Sequence, residues 1–117
     1  MGLISPAAAE QLTRTELTPA QATAAAELLL EALKNRQGNV MHDALAATVQ
    51  TSVDMNTVQA RLNQRAAIDA TRVVSVTPGY NTTTIDAVVT TASGDEGVLM
   101  MLDEDGKLLA WKWSDRI

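Results

Sequence analysis

GVLMMLDEDGKLLAWKW, residues 97–113, reads as two β-strands joined by a tight acidic turn, and it holds both tryptophans of the chain. Val98 to Leu102 is a continuous apolar run, and Asp103-Glu104-Asp105-Gly106 ends in the Asp-Gly pair that tolerates the positive φ of a hairpin turn. From Lys107 to Trp113 the pattern alternates, which predicts Leu109, Trp111 and Trp113 on one face and Leu108, Ala110 and Lys112 on the other. The first strand has no polar face, because Leu99 and Met101 oppose Val98, Met100 and Leu102. Such a strand lies centrally in a sheet or has its second face covered.

The remaining chain must supply that cover. Its 117 residues make one domain, long enough to bury about two-thirds of the unfolded surface. The apolar fraction of 46% includes no Phe, so the core is aliphatic with the tryptophans as its largest pieces, and an aromatic platform for stacking bases is missing. A formal charge of -5 with scattered basic residues argues against nucleic acid and anionic membranes as partners. The lack of Cys rules out disulfides, thiolate catalysis and Cys-based zinc sites. No apolar run approaches the ~20 residues needed to span a bilayer. The sequence is therefore expected to be a soluble protein, cytoplasmic as written or exported if its N-terminus has been trimmed.

Residues 1–17 are Ala-rich with few large apolar side chains and are expected to be flexible or peripheral, although Ser5-Pro6 can start a short helix. Residues 18–117 form the domain. Thr18-Pro19-Ala20-Gln21 is a capping box, followed by Ala22, Ala26, Leu29, Leu30 and Leu33 at helical spacing until Gly38 stops the helix. Asn39 is expected to cap a second helix with Val40, Ala44, Leu45 and Thr48 inward. A third begins near Thr51 or Asp54 and runs to about Ile68, with Met55, Val58, Leu62 and Ala66 inward and Arg61 and Arg65 outward. Arg72–Thr77 and Thr82–Thr91 are β-branched runs around Pro78-Gly79, a pair suited to a type II turn, and residues 93–97 connect to the last hairpin. Three helices followed by four strands in consecutive hairpins predict an α+β fold, an antiparallel meander with helices on one face.

This order, together with Leu102, Asp103, Asp105, Gly106, Lys107, Leu108, Leu109 and Trp111, resembles the cone-shaped, cystatin-like α+β superfamily of nuclear transport factor two and ketosteroid isomerase. It is closest to small bacterial members without assigned function. The resemblance spans residues 18–113 and implies three helices packed on a strongly curved four-stranded sheet, a pocket inside the cone and frequent homodimers through the outer sheet face. The Asp or His-Asp motif of catalytic members is not identifiable, so no catalytic residue is carried over.

Most candidate chemistry has a plainer account. Asp103, Glu104 and Asp105 offer hard oxygen ligands but lack the length and spacing of a calcium loop, so a solvated turn explains them better. His42, the only histidine, has Asp43 beside it, and adjacent helical residues diverge too far to form an oriented pair. Arg61, Arg65 and Arg72 could read an anion, although a solvated helical face is the usual meaning of two arginines four apart. Asn81-Thr82-Thr83 matches a glycosylation sequon that has meaning only in a eukaryotic secretory route. No metal and no cofactor are expected.

Two functions remain. The first is a non-enzymatic interaction domain, a homodimer through an outer sheet face containing Leu108, Ala110 and Met101. The second is a pocket for a small apolar ligand, or an isomerase or dehydratase site, in which Asp86 is the acid or base with Tyr80, Trp111 and Trp113 around it.

Overall fold

The computed structural model describes residues 17–114, so the expectations for residues 1–16 lie outside the described residues. Among the described residues four helices precede four strands: α1 (Pro19–Lys34), α2 (Gly38–Asp43), α3 (Ala47–Gln50), α4 (Met55–Asn63), β1 (Ile68–Pro78), β2 (Thr82–Thr91), β3 (Gly94–Asp103) and β4 (Leu108–Ser114). The strands form one antiparallel sheet in the order β1-β2-β3-β4. The fold is α+β, with four helices between residues 17 and 67 where the spacing predicts three.

Helix α1 starts as its sequence dictates. Gln21 N–H donates to Thr18 Oγ1 (3.1 Å) and Thr18 N–H donates to Gln21 Oε1 (3.0 Å), the two reciprocal bonds of a capping box. Ala22, Ala26, Leu29, Leu30, Ala32 and Leu33 are buried against the sheet and the other helices. The end differs from expectation. Arg36 takes the left-handed conformation (φ 54°), with Gln37 N–H donating to Ala32 O (2.9 Å) and Arg36 N–H to Leu33 O (3.2 Å). A non-glycine residue is held in this position by α4 and the segment that follows it. The Arg36 guanidinium donates to Arg65 O (2.7 Å), and Gln59 Nε2 donates to Arg36 O (2.9 Å). Gly38 therefore opens α2 rather than stopping α1, and its buried N–H donates to Gln59 Oε1 (2.9 Å).

The expected second helix is broken by a long-range contact. At Ala44–Ala46 the chain leaves helical geometry to pair with β4: Leu108 N–H donates to Ala44 O (2.7 Å) and Ala46 N–H donates to Leu108 O (2.8 Å). Met41 and Leu45 consequently point inward, whereas Thr48 is exposed and Val40 is 39% exposed. Asn39 is not the cap, since α2 begins one residue before it. Asp54 does cap α4, accepting from Thr57 N–H at 2.8 Å. Val58 and Leu62 are buried as predicted, but Met55 and Ala66 are exposed, and α4 ends at Asn63 so that Ile68 starts β1.

The register separates the two sheet faces. Val73, Ala87, Val98 and Trp113 form one row on the helix side, and Val76, Ile85, Met100 and Trp111 form the next. The opposite face carries the rows Ser75, Asp86, Leu99, Lys112 and Thr77, Thr84, Met101, Ala110. Simple alternation fails in β4. Ala110 pairs with Met101 but Leu108 pairs with Leu102, leaving Leu109 as an extra residue in a bulge. The bulge turns Leu108 onto the same side as Trp111, where it is fully buried.

The turns also differ in detail. Between β1 and β2 the positive φ falls on Asn81 (60°) rather than Gly79. Strand β3 begins at Gly94 (φ 121°), so only Ala92 and Ser93 separate it from β2, and residues 95–97 are paired strand rather than loop. The last turn is as expected: Asp103 Oδ1 accepts from Asp105 N–H and Lys107 N–H, both at 2.9 Å, and Gly106 supplies the positive φ (80°). Among the described residues no helix is long and apolar enough to cross a membrane.

Candidate binding site

Arg61 lies in the last turn of α4 and Arg65 two residues past its end at Asn63, and both reach across to β4. Arg61 Cζ stands 4.3 Å from the centroid of the Trp111 ring, and Arg65 Cζ stands 4.2 Å from that of Trp113. Both arginines thus turn toward the sheet, the reverse of the outward face expected for them. In each stack the guanidinium itself lies over the indole and also keeps a polar partner.

Those partners differ between the two stacks. Arg65 forms an ion pair with Glu96 on β3. The Arg61 guanidinium donates to Trp111 O (2.7 Å) and has no carboxylate partner among the described residues. Partial burial pushes the Arg61 guanidinium below its ordinary pKa, because desolvation penalises the charged form. Trp111 is 6% exposed, and the indole Nε1–H groups of Trp111 and Trp113 are both buried with no acceptor among the described residues.

Beside Arg61 lies a cavity of about 270 Å³, close to the lower end of the sizes that hold small ligands. Leu45, Val49, Val53, Val58, Leu109 and Trp111 give it apolar walls, and Thr57 and Arg61 add polar groups. Thr57 and Arg61 also line a more open groove with Asp54, Asn56 and Gln64. The loop beneath is held by His42, whose Nε2 lies 2.8 Å from Val53 O, and by Gln50 Nε2 donating to His42 O (2.9 Å). His42 is thereby a bracing residue between α2 and the segment before α4.

The expected pocket of Asp86, Tyr80, Trp111 and Trp113 does not assemble. Asp86 pairs with Leu99 and faces away from the helices, where it is exposed and accepts from Ser75 Oγ (3.1 Å). Tyr80 sits in the β1–β2 turn and is 92% exposed. The two tryptophans are on the helix side of the sheet. Leu108 cannot belong to an outer surface either, since the β4 bulge buries it, while Met101 and Ala110 do lie on the outer face as expected. Comparison of the chain with models of known protein families, with curated proteins and with solved structures returns no match.

Proposed function

We propose that this domain is a non-enzymatic binding module that self-associates through the outer face of its sheet. The observation that carries the reading is β3, which is apolar on both faces while the helices lie on only one. Val98, Met100 and Leu102 are buried under the helices, whereas Leu99 and Met101 are half-buried on the opposite side next to Ala110. The same face carries both signs of charge, Arg72 and Lys112 with Asp86 and Asp95, so a second copy is not repelled by a single-sign field. The resemblance to cone-shaped α+β proteins that pair through this face points the same way.

The test is solution mass by light scattering over a dilution series, with Met101→Glu as the perturbation. We expect a dimer in the parent protein and a folded monomer in the variant, because a half-buried surface position accepts a charge that an interface rejects. A parent protein that is monomeric at every concentration overturns the reading. Leu108→Glu would be uninformative, since it places a charge in the core and unfolds the protomer.

A further inference from the structure

We infer that the cavity between the α3–α4 region and β4 binds a small apolar carboxylate, with the hydrocarbon in the cavity and the anionic head on Arg61. The inference is independent of self-association, because it concerns the helix side of the sheet. Two observations converge on the ligand class. The walls are aliphatic and aromatic, from Leu45, Val49, Val53, Leu109 and Trp111, which suits a hydrocarbon body. Arg61 is a cation that lines this cavity, is partly desolvated and lacks a carboxylate partner among the described residues. A guanidinium has five N–H donors in a planar fork, and Arg61 places one hydrogen bond, on Trp111 O. The donors left over match the two oxygens of a carboxylate, whose charge would offset the desolvation of the cation.

The indole Nε1–H groups of Trp111 and Trp113 are unmet alike among the described residues, so they do not tell the two stacks apart. Arg65 provides the internal control. It makes the same stack on Trp113, but Glu96 already fills the carboxylate position. Arg61 has the stack without the anion.

The cavity volume limits the ligand to a short chain or a single ring. The experiment titrates straight-chain carboxylates from butanoate to decanoate, and benzoate, into the full chain, reading heat by calorimetry and tryptophan fluorescence. Each carboxylate is compared with the alcohol of equal length. A charge-assisted hydrogen bond predicts that the best carboxylate binds about ten- to a hundredfold more tightly than its alcohol. In Arg61→Met, which keeps the apolar stem, that preference collapses to within about twofold while alcohol binding persists. Arg65→Met, by contrast, leaves the preference intact. Three outcomes each overturn the inference: no binding at millimolar carboxylate, equal binding of acid and alcohol in the parent protein, or a carboxylate preference that survives Arg61→Met. Should Arg61→Met fail to fold, the acid-to-alcohol comparison on the parent protein decides alone.

Discussion

The two arginine–tryptophan stacks, Arg61 on Trp111 and Arg65 on Trp113, are nearly identical in distance and differ in what balances the charge. Arg65 is closed by Glu96, so its stack is a complete latch between the segment after α4, β3 and β4. Arg61 has the deeper indole beneath it and a cavity beside it, and no anion to meet it among the described residues. The difference teaches that one geometry can serve two ends. A cation whose counter-charge is in the chain fastens the fold, and one whose counter-charge is missing is poised to take it from a ligand.

The largest expected effect separates the two indoles. Trp111→Ala should lower stability by about 3–5 kcal/mol in urea unfolding, the usual range for emptying a buried aromatic site. Trp113, half-buried, should lose less than half as much on the same change, and equal losses would break the comparison. Next in size, Arg65→Met should cost about 1 kcal/mol, since it removes a cation–π contact and a half-exposed ion pair. Raising salt to about 1 M should shrink that difference, because exposed pairs are screened. Arg61→Met should cost less than Arg65→Met in the absence of ligand, because removing a partly desolvated, unpaired charge offsets the lost stack. A larger cost at Arg61 would show that its stack is the main latch.

The smallest effect is at the start of α4. The Asp54 carboxyl is held below its ordinary pKa, chiefly by the backbone N–H of Thr57 and then by the Thr57 side chain. A depressed folded-state pKa contributes stability that is present above the unfolded-state value near 3.8 and is lost as pH falls through the lowered folded-state value. Asp54→Asn, which keeps an acceptor and removes the titration, should flatten the acid limb of the stability profile. An unchanged acid limb would mean that the cap is not what titrates.

How much of this was legible in the sequence follows from the range of the contacts involved. The capping box at Thr18, the Asp54 cap and the turn at Asp103–Gly106 are local, and each is present as read. The α+β class and the antiparallel meander followed from periodicity. What failed was decided at a distance. The α2–α3 break exists because Ala44 and Ala46 bond to Leu108, more than sixty residues away, and no nearby residue announces it. The β4 bulge shifts Leu108 by one position, which is enough to exchange an outer face for the core. Asp86 was placed with the tryptophans although strand parity puts it on the other face, a consequence visible only once the register between β2, β3 and β4 is known. The stack of Arg65 on Trp113 was not legible from helical spacing, because α4 ends at Asn63 and Arg65 lies beyond it.

The bridge from Leu108 to the loop before α3 has a consequence for behaviour at high concentration. A sheet edge that offers an uninterrupted row of N–H and C=O groups is a template on which another chain can add a strand and grow a fibre. At β4 that row is interrupted, because both backbone groups of Leu108 are occupied and Arg61 takes Trp111 O. At the far edge, β1 is interrupted by two register shifts and ends in Pro78, which has no N–H to offer. Open-ended strand addition is thus discouraged at both margins.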